Sequence, residues 1–201
     1  MERNDPSGDP DLVARLQQGD EAAFREIYAA YRARLFSFLL RLSGRRDLAE
    51  DLCQEVWLRM VAGPPILPPG MPLGPWLYRV ARNTYISYLR SREQDATRTA
   101  EMTAIQFQPS LQPGPWEETA EKDTQEHLRT ALAHLPLAYR ECLLLVAGVG
   151  LTPQQAAEVL ALQAATFRKR LSRAREMLAK RMGLTPLHGK EVEKCRKTSR
   201  E

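Results

Sequence analysis

With 201 residues, 43% of them apolar, and 29 Lys/Arg against 25 Asp/Glu, the chain has room for one domain or two small ones with compact cores. No apolar run approaches the roughly 18–20 residues that cross a bilayer, so stable membrane insertion is excluded, and the acidic, polar start MERNDPSGDPD is no signal peptide. Cys53, Cys142 and Cys195 are odd in number and far apart; Cys53 and Cys142 fall in apolar helical patterns as buried free thiols, which fits a reducing cytoplasm, and Cys195 with His188 is two ligands short of a metal site.

Charge is unevenly spread. From Lys122 onward about fifteen Lys/Arg stand against eight Asp/Glu, so an acidic-to-neutral front precedes a basic rear, two surfaces for different partners. Helical periodicity dominates and no alternating strand stands out. After a polar lead over 1–10, Asp9-Pro10 offers an N-cap and a first-position proline for a short helix ending near Gly19. Phe24, Ile27, Tyr28, Tyr31, Leu35, Phe38, Leu39 and Leu42 then recur at three- and four-residue steps, an amphipathic helix stopped by Gly44. A third helix covers 47–61.

Prolines 64, 65, 68, 69, 72 and 75 make 63–75 a stiff loop, because proline fixes φ and removes a backbone donor. Helix resumes at Trp76 and runs to about Arg92. Residues 93–123 lack periodicity and read as a linker between a front domain over 11–92 and a rear domain over 124–183; 184–201 is a charged tail. In the rear, one helix runs to Leu135, Pro136 breaks it, and a second reaches about Ala147. The expected fold is all-α: two small helical domains joined by a flexible linker, the rear one containing a helix-turn-helix.

That motif is TPQQAAEVLALQAATFRKRLSRAREMLAKRM, from Thr152 to Met182. Phe167, Leu171, Ala174 and Leu178 form the apolar stripe of its second helix. The other faces carry Arg168, Lys169, Arg170, Arg173, Arg175, Lys180 and Arg181 against one acid, Glu176. A short helix followed by a basic amphipathic one is suited to a DNA major groove.

Two further faces carry chemistry. In AEDLCQEVW, Glu50, Asp51, Gln54 and Glu55 span about 140° of one helical face, which repels DNA and suits a basic protein partner. In WLYRVARNTYISYLR, Arg79, Arg82, Asn83, Ile86 and Arg90 fall within about a 100° arc, with Trp76, Tyr85 and Tyr88 on the other faces. Arginine grips phosphate, asparagine reads a base edge, and aromatics stack on unpaired bases. A core helix with a solvated face explains the same pattern.

These pieces in this order, followed by LAHLPLAYRECLLL and TFRKRLSRAR, closely resemble the extracytoplasmic-function subgroup of the sigma-70 family, bacterial initiation factors that give RNA polymerase its promoter specificity. The resemblance runs from about Leu12 to Met182. It implies that Glu50, Asp51, Gln54 and Glu55 bind core RNA polymerase. It also implies that Trp76, Arg79, Arg82 and Asn83 engage promoter DNA at the −10 element, and that Thr166, Arg168, Lys169, Arg170 and Arg173 read the −35 element. The 63–75 loop takes the place where the family captures a flipped-out base. An anti-sigma factor is an implied partner; no catalytic residue, metal or other cofactor is. The chain departs from the family's pattern at Ser87, usually Asp, in its many loop prolines, and in Ala161 and Ala165 where glycines are common. A free-standing helix-turn-helix regulator binding duplex DNA as a dimer explains 152–182 equally well, but not the acidic helix before an Arg/Asn/aromatic one. An enzyme lacks any support: His127, His134 and His188 have no partner pattern, and no Gly-rich phosphate loop, HExxH or CxxC is present.

Overall fold

A computed structural model describes residues 10–63, 67–68, 71–98 and 121–184, and no strand occurs among them. The helices are α1 (Pro10–Gln17), α2 (Glu21–Ser43), α3 (Arg46–Ala62), α4 (Leu73–Arg98), α5 (Glu121–Ala133), α6 (Leu137–Leu143), α7 (Pro153–Val159) and α8 (Ala164–Arg181), with a π-helical turn at Leu144–Gly148 between α6 and α7. Asp9, prolines 64, 65 and 69, most of the linker, His188, Cys195 and the tail beyond Leu184 lie outside the described residues.

The front bundle wraps α1, α3 and α4 around α2. Asp20 caps α2 by accepting from the Ala22 amide at 2.7 Å and from Arg15 Nε at 2.8 Å, which satisfies an orphan donor of the first turn. Gly44 ends the helix in left-handed conformation, φ 71°, donating to the Leu40 carbonyl. Ile27, Tyr31, Leu35, Leu39 and Leu42 are fully buried, in the three- and four-residue rhythm of the sequence.

Helix α4 is longer at both ends than its apolar pattern indicates. It begins at Leu73, so Pro75 sits inside the first turn, where the missing N–H has no intrahelical acceptor to lose. It continues to Arg98, six residues into the expected linker. The stripe ends at Leu89, but Arg, Glu, Gln and Ala propagate a formed helix at little cost and need no apolar pattern to do so. Helix α5 likewise starts at Glu121.

In the rear bundle, α6 and α8 pack together and α7 closes one side. Thr152 and Gln155 form a reciprocal capping box at the start of α7, with Pro153 in the first position. The turn of the helix-turn-helix forms although Ala161 stands where glycine is common. Ala161 takes φ 52°, alone among the described non-glycine residues, and two reverse bonds hold it: Ala161 N–H to the Glu158 carbonyl at 3.1 Å and Leu162 N–H to the Ala157 carbonyl at 2.9 Å. The helix expected to reach Ala147 instead widens into the π turn, which rests against α2.

The two halves are packed on each other, α7 against α4 and α5 and α6 against α2. The Arg140 guanidinium crosses this seam, donating from Nη1 to the Leu42 carbonyl at 2.8 Å and from Nη2 to the Ala133 and Leu135 carbonyls. A cation there meets the last carbonyls of α2, the negative end of its dipole.

Candidate polymerase and nucleic-acid interfaces

Helix α3 turns Leu48, Leu52, Val56 and Met60 inward, which leaves Glu50, Asp51, Gln54 and Glu55 exposed on the opposite face. Glu50 is bonded to Arg46 at 3.0 Å and Glu55 to Arg59 at 2.5 Å, each an exposed i,i+4 pair of little energetic weight. One turn further on, Leu58 and Val61 are 60% and 67% exposed. By helical rotation Leu58 falls between Gln54 and Asp51, at the middle of the polar face. Their exposure escaped the sequence reading, because an apolar residue in an amphipathic helix is by default assigned to the core. The signal was available: neither lies on the Leu48–Leu52–Val56–Met60 line.

Helix α4 distributes its side chains differently from the expected aromatic platform. Tyr78 and Tyr85 are buried, Tyr78 edge-on to Phe38 with ring centroids 5.3 Å apart, and Trp76 and Tyr88 are half-buried against the core. Packing claims these rings, since each has a large apolar area to remove from water. Arg79 is half-buried at the surface and Asn83 is exposed. Arg82 turns toward the rear half, its Nε 3.3 Å from Glu141 Oε2, and its Nη1 donates to Asn83 Oδ1 at 3.3 Å.

Helix α8 buries Phe167, Leu171 and Ala174 and exposes Thr166, Arg168, Lys169 and Arg173, while Arg170 is half-buried. Glu176, the acid of this helix, accepts from the Ser172 hydroxyl at 3.1 Å, and a single carboxylate offsets little of a helix that carries seven Lys and Arg. Glu141 is buried behind α8. Burial pushes its carboxyl above the ordinary range, against the pull of Arg82, Arg170 and Arg140. Glu141 is not among the residues expected at an interface; the signal for it is a lone Arg-Glu pair inside the apolar run LAYRECLLL, a sign of buried charge. Cys53 and Cys142 are buried free thiols, as expected.

No group of three or more His, Cys, Asp or Glu able to hold a metal occurs among the described residues, and no helix among them is long and apolar enough to cross a membrane. The family model for Sigma-70 region 2 matches residues 27–94, and that for Sigma-70 region 4 matches residues 125–178. The ECF RNA polymerase sigma factor SigM of Bacillus subtilis (strain 168) is 31% identical over 153 residues, 76% of this chain and 91% of that protein. The ECF RNA polymerase sigma factor EcfG of Rhodopseudomonas palustris (strain TIE-1) is 34% identical over 145 residues, 72% of this chain and 77% of that protein. The chain belongs to the extracytoplasmic-function subgroup of the sigma-70 family.

This sigma factor is therefore a transcription initiation factor, one that directs core RNA polymerase to promoters. A free-standing regulator is not favoured, because the region 2 match covers the front half that such a protein would fill with a sensor. The fold agrees with solved structures. The sigma factor RpoE from Bartonella quintana, in complex with the anti-sigma factor NepR, superposes with TM-score 0.66 at 24% identity, covering 80% of this chain and 96% of that one. CnrH, in complex with the cytosolic domain of CnrY, gives 0.61 at 22% identity, covering 85% and 94%.

Proposed function

We propose that the three faces divide the work of a sigma factor as follows. The front domain, 11–92, docks on core polymerase through Glu50, Asp51, Gln54 and Glu55, with Leu58 and Val61 as apolar anchors in the same face. It engages the −10 element through Arg79, Arg82 and Asn83, with Trp76 at the start of the same helix. The rear domain, 124–183, reads the −35 element with Thr166, Arg168, Lys169, Arg170 and Arg173. The 93–123 segment links them, and 1–10 and 184–201 flank the two domains.

The observation that carries this reading is the separation of charge by helix. An acidic exposed face on α3 stands apart from the basic exposed face of α8, so one chain can address a basic protein and a polyanion at once. Strand opening on this reading needs no catalytic residue: binding of splayed bases offsets their unstacking, which costs a few kcal/mol per step. The protein aims an enzyme and turns over no substrate itself. An anti-sigma factor is proposed as a further partner, supported by RpoE of Bartonella quintana, which was captured with the anti-sigma factor NepR.

Run-off transcription with core polymerase and a library of promoter fragments tests the whole scheme. Initiation should appear only when both proteins are present, from fragments sharing a −35 and a −10 element. Tight core-independent binding to a palindrome as a symmetric dimer would replace this reading with that of a regulator.

A further inference from the structure

The contact that joins the halves uses side chains needed elsewhere. Arg82 lies on the arc of α4 read as promoter-facing, yet its guanidinium forks onto Glu141, Nε to Oε2 at 3.3 Å and Nη2 to Oε1 at 3.5 Å, across 59 residues of sequence. Glu141 is 3% exposed and Arg82 26%, so the Nε–Nη2 edge of this guanidinium can fork onto a phosphate only after it leaves the carboxylate. Asn83 is tied into the same group through its Oδ1.

The carboxylate is surrounded by cations. Arg140 of its own helix is committed to the Leu42, Ala133 and Leu135 carbonyls, and Arg170 approaches from α8. Two of the three arginines around Glu141 are thus promoter-binding candidates, one from each half. Packing of α7 on α4 also holds the helix-turn-helix against the −10 helix, whereas two promoter elements about two duplex turns apart lie about 70 Å from each other.

We propose that Glu141 is an internal competitor of promoter DNA, a carboxylate that stands in for phosphate, holds Arg82 and keeps the two halves closed until polymerase or DNA takes the arginine away. The inference rests on the reading of Arg82 as a −10 side chain. The chemistry suits a releasable latch. Desolvation offsets much of the attraction in a buried ion pair, so the bond gives specificity of closure without locking it. Free sigma factor then binds nucleic acid weakly, since only its open fraction is competent.

The test compares the full-length wild type, Glu141→Gln, Arg82→Gln and the double variant by small-angle scattering, and measures binding of a short single-stranded oligonucleotide by wild type and Glu141→Gln without polymerase. Each single variant should raise the radius of gyration, and the double variant should raise it no further, because both remove one bond. Glu141→Gln, which leaves Arg82 free, should bind the oligonucleotide about fivefold to tenfold more tightly. Superposable scattering from wild type, Glu141→Gln and Arg82→Gln would overturn the latch, as would expansion without a gain in affinity. Should Glu141→Gln lose its helical circular dichroism, Arg82→Gln, at a partly exposed surface position, still decides by scattering. Wild-type run-off transcription separates the two levels: failure there sinks the promoter reading, whereas normal transcription with unchanged scattering sinks only the latch.

Discussion

The Arg140 guanidinium donates to the Leu42 carbonyl at 2.8 Å, a bond from the rear half to the end of the second helix of the front half. The same group serves the Ala133 and Leu135 carbonyls, and burial lowers its pKa from the usual arginine range. Arg140→Met removes the donors and leaves three carbonyls to find others. We expect a loss of about 2–4 kcal/mol in urea unfolding monitored by circular dichroism, on the scale of hydrogen bonds to charged groups. Arg140→Lys should recover only part, since a lysine ammonium cannot reproduce the planar fork.

Asp20 gives a pH-dependent test. Arg15 and the Ala22 amide hold its carboxyl below the usual carboxylate range. A lowered folded-state pKa means that the cap stabilises fully above the unfolded value and fades as pH falls through the folded one. The difference in Tm between wild type and Asp20→Ala should therefore be constant near neutrality and shrink as the pH falls below the ordinary aspartate value of about 4. A difference that persists undiminished at the acid end would mean that the cap does not depend on ionisation.

How far these features were legible varies with their physical origin. The Gly44 stop, the core line of α2 and the capping of α7 follow local rules, and the sequence carries each in full. The ends of α4 were not legible, because helix propagation past Leu89 needs no apolar residue and Pro75 costs nothing in a first turn. The turn at Ala161 was foreseeable as a left-handed alanine with a modest penalty. The Arg82–Glu141 pair was not, since its partners lie 59 residues apart and no periodicity links them. The exposure of Leu58 and Val61 is legible as well, since neither falls on the Leu48–Leu52–Val56–Met60 line.

Ala161 at φ 52° offers a stability prediction. A Cβ in left-handed conformation costs about 1 kcal/mol, and glycine relieves it at the expense of a more flexible unfolded chain. Ala161→Gly should raise stability by about 0.5–1 kcal/mol in denaturant titration. A destabilised variant would indicate that the alanine methyl makes packing contacts that outweigh the strain.

Burial pushes the Cys53 and Cys142 thiols up to about 11. At pH 8 the thiolate fraction is then about a thousandth in each, and the sulfur is shielded besides. Native protein should react with iodoacetamide at neither site over a time in which the urea-unfolded chain reacts at both. Peptide mass spectrometry reads this directly. Rapid native labelling at Cys142 would mean that the rear bundle opens far more often than its packing implies.

On the exposed face of α8, Arg168 and Lys169 are neighbours, and Glu176 is the one acid of that helix. Replacing both with Ala should lower the slope of log affinity against log salt by up to about 0.9 per lost phosphate contact, in holoenzyme binding to a promoter with a −35 element. Leu58 is 60% exposed, so Leu58→Ala removes little from the core and its effect on unfolding should stay within about 0.5 kcal/mol. As an anchor at the centre of the docking face it should nevertheless weaken core-polymerase binding by about 1–2 kcal/mol, measured with the purified core. Asp51→Ala with Gln54→Ala should weaken core binding as well and leave the helical content unchanged. Wild-type core affinity in both variants would move the docking surface off α3 altogether.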